Sequence, residues 1–164
     1  MHFKRNPLFW MVAIASLIFD HLTKFWVVQT FELTVPPQTM PIWQDVFHFT
    51  YVINTGAAFS LFSNGGVYWL RWLSLGVSLA LMAMAWFGPR GDRWEQLGYG
   101  LILGGALGNG IDRFVSGHVV DFFDFRLIKF PIFNLADVSI NLGIICLLIA
   151  IFFTSSPQGS NINK

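Results

Sequence analysis

Four long apolar stretches constrain this chain more than any other feature of its sequence. They cover about residues 8–28, 67–87, 97–115 and 135–153. A helix needs about 20 apolar residues to cross roughly 30 Å of hydrocarbon, since each residue advances it by about 1.5 Å, and each stretch has about that length. We therefore expect an all-α membrane protein, in which residues 1–164 form a single domain built on a four-transmembrane-helix bundle.

The charge content agrees with a chain whose solvent is mostly lipid. Only 12% of the 164 residues are charged, ten Lys and Arg against nine Asp and Glu, whereas 54% are hydrophobic. A soluble domain carries about 25% charged residues, and a net charge of +1 provides no basic surface for nucleic acid. The composition argues against a soluble enzyme, a disordered chain and a nucleic-acid binder.

Lysine and arginine in the short loops predict the orientation of the spans. Four spans place both termini on one side, and cytoplasmic loops carry the excess of Lys and Arg. The side with the termini holds Lys4, Arg5, Arg90, Arg93 and Lys164, and the other side holds Arg126 and Lys129. We expect cytoplasmic termini, with the loops at residues 29–66 and 116–134 facing outward.

The first outward loop predicts β structure rather than helix. Pro36, Pro37 and Pro41 interrupt any helix. Residues 46–53 are rich in β-branched and aromatic side chains, which is typical of a strand. We expect this strand to belong to a small extracytoplasmic β-sheet on the membrane surface, and the polar tail at residues 154–164 to be disordered.

Ionisable side chains inside a span are costly and therefore mark candidates for function. In the first span, Asp20 and Lys24 are four residues apart, so they share a helix face and can form an ion pair. The plain interpretation is structural: this pair fixes the first helix to its neighbours. Near the outer end of the third span, Asn109, Asp112 and Arg113 also share a face, either as a hydrogen-bonded contact between helices or as part of a polar pocket.

Asp137 lies about one turn into the fourth span, with no Lys or Arg nearby in the sequence. A lone ionised carboxylate there would be expensive, but two carboxyl groups close together can share a proton. Asp121 is the natural second member of such a pair, and Asp124 competes with it from position alone. A proton-sharing pair of aspartates is the arrangement of aspartic proteases.

Other hydrolytic chemistries fit the sequence poorly. It contains no H-E-x-x-H motif of zinc metalloproteases, and the serine at position 78 lacks the G-x-S-x-G turn of serine hydrolases. His118 with Asp121 and Asp124 has tolerable spacing for a metal but no further ligand nearby. We expect neither a metal nor a cofactor.

Four short blocks of sequence carry a family resemblance. They read DHLTK at 20–24, NTGAAFS at 54–60, GGALGN followed by DR at 104–113, and GHVVDF followed by FPIFNLAD at 117–137. With these blocks in this order, the chain resembles the bacterial lipoprotein signal peptidases, or signal peptidase II. One departure is His21, where a glutamine is expected.

The resemblance implies a catalytic dyad of Asp121 and Asp137, which favours Asp121 over Asp124. It also implies a set of substrate-binding or supporting positions. They are Asn54, Gly105, Asn109, Asp112, Arg113, Asn134, Asp20 and Lys24. Among them, Asn54 matches a loop asparagine that approaches the substrate, and Gly105 matches a glycine where the backbone meets the ligand.

The implied activity is that of an aspartic endopeptidase in the bacterial cytoplasmic (inner) membrane. Its substrate is a prolipoprotein, cut just before a cysteine that carries a diacylglyceryl group. We expect a monomer in contact with membrane lipid, with its active site near the outer face, and aromatic residues such as Phe47, Phe49, Tyr51 and Phe59 clamping the substrate. The alternatives are a small transporter or proton-relay protein, and a structural membrane subunit without an active site.

Overall fold

Four long helices dominate the computed structural model, which describes residues 6–56, 66–128 and 130–154. The helices are α1 (Pro7–Thr30), α2 (Gly66–Phe87), α3 (Arg93–Val115) and α4 (Leu135–Thr154). Each coincides with a predicted apolar stretch to within a few residues. The tail is predicted to be disordered over residues 154–164; Thr154 is instead the last residue of α4, and the rest of the tail lies outside the described residues.

Three of the described helices have the length and mean hydropathy of a membrane span: Pro7–Thr30, Tyr68–Phe87 and Leu135–Phe152. α3 is long enough at 23 residues but is not among them. Its sequence includes several glycines and polar residues that the other helices bury, such as Gln96 and Asn109. α3 packs against each of the other three helices, which explains why its composition is less apolar than theirs.

Glycines on different faces of α3 allow these close contacts. A Cβ added at Gly104 would lie 2.6 Å from the Cβ of Ser16 in α1, and one at Gly98 would lie 2.8 Å from the carbonyl oxygen of Gly143 in α4. Such distances are too short for a larger residue without movement of the helices, so the glycines set how closely α3 approaches α1 and α4.

The turn between α2 and α3 is fixed by side chains that cap backbone groups. Asp92 accepts a hydrogen bond from the N–H of Glu95, and the Glu95 carboxylate accepts one from the N–H of Asp92, both at 2.9 Å. This reciprocal capping box satisfies backbone donors at a helix start. Asn6, just before α1, donates to the carbonyl of Ala85 and accepts from the N–H of Gly91, which ties α1 to this turn.

A three-stranded antiparallel sheet lies at the opposite end of the bundle. Its strands are β1 (Thr39–Trp43), β2 (Phe47–Asn54) and β3 (Val119–Phe125), in the order β1-β2-β3. The strand predicted at residues 46–53 is confirmed as β2. Pro41 lies within β1, which is an edge strand, where a residue without an N–H is tolerated.

The sheet is attached to the end of α1 by a small apolar core. Val27 of α1 and Phe31, just after α1, pack with Tyr51 of β2 and Phe122 of β3. All four side chains are buried. β3 follows α3 after a short turn in which Gly117 has a φ of +72°, a conformation that favours glycine. The sheet thereby places β3 beside the first turn of α4.

Candidate active site

Asp121 and Asp137, the predicted dyad, come from different elements, and both form hydrogen bonds with Asn134. Asp121 lies in β3, and Asp137 lies in the first turn of α4. The Asn134 side-chain amide donates to Asp121 Oδ1 at 2.6 Å, and the Asn134 backbone N–H donates to Asp137 Oδ2 at 3.2 Å. One residue therefore holds both carboxylates.

The start of α4 explains how Asp137 is positioned. Asn134 precedes the helix, and its side-chain oxygen accepts a hydrogen bond from the N–H of Asp137 at 3.1 Å. Together with the bond from the Asn134 N–H to the Asp137 carboxylate, this forms a reciprocal cap of the capping-box kind. The same local sequence that starts the helix therefore also orients Asp137.

Two further asparagines hold the remaining carboxylate oxygens. Asn54 Nδ2 donates to Asp121 Oδ2, and Asn109 Nδ2 donates to Asp137 Oδ1, each at 2.9 Å. All four oxygens of the two carboxyl groups thus accept a hydrogen bond from an asparagine. Neutral amide donors orient the carboxylates without pairing either of them directly with a cation.

The environment of Asp121 favours its protonated form. Burial raises the pKa of the Asp121 carboxyl to about 6, and the negative charge of Asp137 acts in the same direction. Hydrogen bonds from Asn54 and Asn134 oppose this rise because they stabilise the carboxylate. A carboxyl group with such a pKa can gain or lose a proton near neutral pH.

Lys24 is the centre of a buried charge cluster beside the dyad. Its ammonium lies 2.8 Å from Asp20 Oδ2 and 2.6 Å from Asp112 Oδ2, and it donates to Asn109 Oδ1 at 2.9 Å. The expected pair of Asp20 and Lys24 is present. Asp112 turns to Lys24, whereas Arg113 donates to the carbonyl of Asn109.

A cavity of about 510 Å³ opens beside the two carboxylates. Its polar lining within the described residues consists of Asn54, Asn109, Arg113, Asp121, Asn134, Asp137 and Asn141. Apolar side chains, including Phe130, Ile132, Phe133 and Leu142, line it as well. Asp20, Lys24 and Asp112 are not among the lining residues; they act on the site through Asn109 and through Ala136, whose N–H donates to Asp20.

Gly105 lies at the contact between α3 and α4. A Cβ at this position would collide with the carbonyl oxygen of Ala136 and approach Ile140, and Gly105 is not part of the cavity lining. The contact with the ligand that the resemblance implies for Gly105 stays a prediction, and the structure adds a contact between α3 and α4. Because Ala136 immediately precedes Asp137, this contact still influences the site.

Asp124, the competing candidate for the dyad, belongs to a separate network. Its carboxylate accepts hydrogen bonds from Thr50 Oγ1 at 2.7 Å and from Arg126 Nε at 3.0 Å. Arg126 also donates to Thr39, so the network links all three strands. Asp124 does not line the cavity, and its role here is to hold the sheet together.

None of the described residues of the expected aromatic clamp lines the cavity. Phe47 and Phe49 pack against Phe123 and do not line the cavity. Tyr51 is buried in the core beneath the sheet, and Phe59 lies outside the described residues. The aromatic lining comes instead from Phe130 and Phe133, in the segment that leads into α4.

Asn141 is a cavity-lining residue that the sequence interpretation missed. It follows Asp137 by four residues, so it lies on the same face of α4 one turn farther along. An asparagine within a largely apolar span was the available signal. Among the described residues, no group of three or more His, Cys, Asp or Glu could hold a metal ion.

Several known proteins are similar to this chain in sequence. Residues 12–153 match the family described as Signal peptidase (SPase) II. A protein of Cyanothece sp. named "Lipoprotein signal peptidase" is 73% identical over 150 residues, which are 92% of this chain and 86% of the relative. A protein of the same name from Thermosynechococcus vestitus is 67% identical over 90% of this chain and 93% of its own length.

A solved structure shares the fold. It is described as a bacterial membrane enzyme, is 29% identical to this chain, and superposes with a TM-score of 0.80 over 94% of this chain and 93% of that one. A second structure with the same description is 30% identical, with a TM-score of 0.74 over 86% and 90% of the two chains.

Proposed function

The chain belongs to the signal peptidase II family, and from this premise we propose that it removes the signal peptide from prolipoproteins as an aspartic endopeptidase. The bond that it cuts precedes a cysteine carrying a diacylglyceryl group. The observation that carries the aspartic mechanism is the arrangement of Asp121 and Asp137, whose four oxygens are all held by asparagines at the wall of one cavity.

The two carboxyl groups work as a pair that shares one proton. The ionised carboxylate takes a proton from a water molecule, whose oxygen forms a bond to the carbonyl carbon of the scissile peptide. The protonated partner gives its proton to the carbonyl oxygen. When the C–N bond breaks, the first carboxyl group gives a proton to the leaving nitrogen, which becomes the new N-terminus of the lipoprotein. The second carboxylate takes a proton back from a hydroxyl of the tetrahedral intermediate, which becomes the carboxyl group of the released signal peptide, so the pair again holds one proton.

The raised pKa of Asp121 supports this division of labour. With a pKa of about 6, the carboxyl group is about half protonated at pH 6 and about one tenth protonated at pH 7, so the pair can hold one proton while one member remains ionised. Two ordinary aspartates would both be ionised there, since the usual pKa is near 3.9, and neither could then act as an acid.

The lining of the cavity supports a substrate that is both peptide and lipid. Its polar wall carries the dyad and Arg113, while Phe130, Ile132, Phe133 and Leu142 give an apolar wall. Acyl chains can move from the bilayer to such an apolar wall without a desolvation cost, since lipid tails and apolar side chains are similarly apolar, whereas a polar wall would be unfavourable for them. We propose that the apolar wall contacts the diacylglyceryl group while the scissile peptide lies against the polar wall.

The proposed setting is the bacterial cytoplasmic (inner) membrane, crossed by all four helices. α3 completes the count because the other three helices surround it, so its polar and small residues face protein more than lipid. The excess of Lys and Arg toward the termini favours cytoplasmic termini, which puts the sheet and the cavity at the outer face. The protein is proposed to act as a monomer, without a metal or cofactor.

The experiment that tests this function follows cleavage by mass. The purified protein in detergent is mixed with a diacylglyceryl-modified prolipoprotein, and the same assay is run with Asp121→Asn and Asp137→Asn. We expect each of these variants to lose at least 10³-fold in rate, on the order of what removal of a catalytic acid or base costs. Asp124→Asn is the matched control and keeps most of the activity, because Asp124 lies outside the cavity.

Two results would contradict the proposal in different ways. Cleavage retained by either dyad variant would rule out the two-aspartate mechanism. Equal cleavage of the same prolipoprotein without its lipid would leave the mechanism in place but remove the lipid from the definition of the substrate.

A further inference from the structure

Asn141 is an unusual residue for its position in α4. From position 138 to 152 the helix is apolar except for Ser139, Asn141 and the weakly polar Cys146. Ser139 is buried, and its hydroxyl donates to the carbonyl of Leu135 at 2.9 Å. Asn141 is exposed instead, and it lines the cavity beside the dyad. An exposed amide at bilayer depth is costly unless something polar meets it.

The Asn141 amide retains hydrogen-bonding capacity that faces the cavity. Its Nδ2 donates to the carbonyl of Asp137 at 2.8 Å. Among the described residues, the Asn141 side chain makes no other hydrogen bond. A carboxamide has two N–H donors and an oxygen with two acceptor positions. One donor and the oxygen are therefore free to meet a bound molecule.

The position of Asn141 indicates which part of a substrate it can reach. It lies four residues beyond Asp137, so it is about 6 Å farther along the helix, at roughly 1.5 Å per residue, and away from the sheet. An extended peptide advances by about 3.3 Å per residue. Asn141 is therefore about two residues from the scissile bond, on the side of the substrate that enters the bilayer.

A signal peptide needs partners for its backbone in this region. A peptide must be extended to present its bond to the two aspartates, and an extended backbone in hydrocarbon leaves its N–H and C=O groups unsatisfied. Resting on the function proposed above, we propose that Asn141 is a substrate-binding residue that hydrogen-bonds the extended backbone of the signal peptide about two residues before the scissile bond. Its oxygen accepts the peptide N–H, and its free N–H donates to a peptide carbonyl.

The test replaces single peptide bonds in the substrate by esters. Each ester removes one N–H, and the replacement is made in turn at each of the four backbone positions before the lipid-modified cysteine, except the scissile bond. With the wild-type enzyme we expect kcat/KM to fall about tenfold at the position about two residues before the cut, because one hydrogen bond is lost. The other positions should show a smaller effect.

The variant Asn141→Leu completes a double-mutant cycle. It should lower kcat/KM for the all-amide substrate by at least this factor, because both proposed hydrogen bonds are lost, and should show no additional loss with the sensitive ester. Its thermal unfolding in detergent should not fall below that of the wild type, because the change replaces an amide by an apolar group in an apolar span. This measurement separates a loss of binding from a loss of folding.

The outcomes distinguish this inference from the function on which it rests. If the wild type fails to cut the all-amide substrate, or if Asp121→Asn cuts it as fast as the wild type does, both the function and the role of Asn141 are overturned. If the wild type cuts it but the ester scan is flat, or the ester loss persists unchanged in Asn141→Leu, the role of Asn141 fails and the function remains.

Discussion

At the scale of single residues, three asparagines organise the site as much as the two aspartates do. Asn54, Asn109 and Asn134 come from a strand, a helix and the start of another helix, and each contacts a carboxylate. An amide donor orients a carboxylate and stabilises its charge without neutralising it. The raised pKa of Asp121 is thus a balance between burial and these donors, which a substitution can shift.

Replacing Asn54 by alanine should move the pH dependence of cleavage. The Asn54 hydrogen bond lowers the pKa of Asp121, so its removal raises that pKa, and the dyad then keeps its shared proton to higher pH. We expect the alkaline limb of the kcat/KM profile to move upward by about one pH unit, the size expected for a hydrogen bond to a charged group. The profile is measured on the diacylglyceryl-modified substrate.

The position of the alkaline limb, rather than the height of the profile, is the quantity to compare. Thr50→Val is the matched control on the same strand, because Thr50 bonds Asp124 and should leave the limb where it is. An alkaline limb that stays in place or moves to lower pH in Asn54→Ala would contradict the assignment of Asp121 as a proton carrier.

Lys24 offers a second prediction, on stability. Its side chain is 6% exposed and sits between Asp20 and Asp112, so Lys24→Met leaves the buried Asp20 and the half-buried Asp112 without a cation. We expect the free energy of unfolding to fall by about 3–5 kcal/mol, as when one partner of a buried ion pair is removed. Denaturant unfolding in detergent measures the change.

A double variant shows whether the loss comes from uncompensated charge. Adding Asp112→Asn to Lys24→Met removes one of the two unpaired carboxylates, so part of the stability should return. A Lys24→Met protein as stable as the wild type would mean that the cluster contributes nothing to folding.

The choice between Asp121 and Asp124 shows what single residues could not tell from sequence. Both follow α3 within a few residues and both are buried, so position alone left them equivalent, and only the family resemblance favoured Asp121. In a strand, residues three apart point to opposite faces. The sequence could not show that Asp121 and Asp124 point to opposite faces, because β3 itself was not predicted.

At the scale of elements, the helices were predictable and two strands were not. The helices are long enough that apolar length alone identifies them. β3 is short, and most of its side chains are buried or half-buried on both faces, so it shows no clean alternation of apolar and polar residues. The start of α3 was placed at residue 97 instead of Arg93 because the first turn is polar, although the capping pair Asp92 and Glu95 was a usable signal.

The contact between α3 and α4 depends on Gly105, and this gives a third prediction. In Gly105→Ala the new methyl group meets the backbone carbonyl of Ala136, which cannot rotate away as a side chain could. We expect a loss of about 1–3 kcal/mol in stability, as for other overpacked cores, and a lower kcat because Ala136 precedes Asp137. Thermal unfolding and cleavage kinetics measure the two effects.

Gly76 in α2 is the matched control, since a Cβ added there has no atom within 4 Å. Gly76→Ala should leave activity unchanged and raise stability by up to about 1 kcal/mol, the difference in helix propensity. If Gly105→Ala and Gly76→Ala have the same stability and the same activity, the α3–α4 contact can accept a methyl group, which would contradict the close contact seen in the structure.

At the scale of the whole molecule, the apolar surface is directed outward. Large apolar side chains are exposed along α1, α2 and α4, among them Met11, Phe25, Leu73 and Ile151, each at least 60% exposed. The inside of the bundle holds the glycines of α3 and the charged cluster around Lys24. This distribution is the reverse of a water-soluble protein, and it explains why a low charge content in the sequence could indicate a membrane before any element was located.

The orientation in the membrane provides the last prediction. The sequence contains one cysteine, Cys146, so Cys146→Ala gives a background in which a single new cysteine reports its own location. Ile128, 69% exposed beside the sheet, and Pro89, exposed in the α2–α3 turn, are replaced by cysteine one at a time. Neither change alters the number of Lys and Arg that set the orientation.

A membrane-impermeant maleimide added to spheroplasts or right-side-out vesicles should label Ile128→Cys at once and Pro89→Cys only after the membrane is opened. The expected pattern follows because the sheet end carries fewer cations than the end with the α2–α3 turn, so the latter stays in the cytoplasm. The opposite pattern would reverse the orientation and move the cavity to the cytoplasmic face. Labelling of both positions in sealed membranes would place both loops on the same side, which an odd number of spans between residues 89 and 128 does not allow.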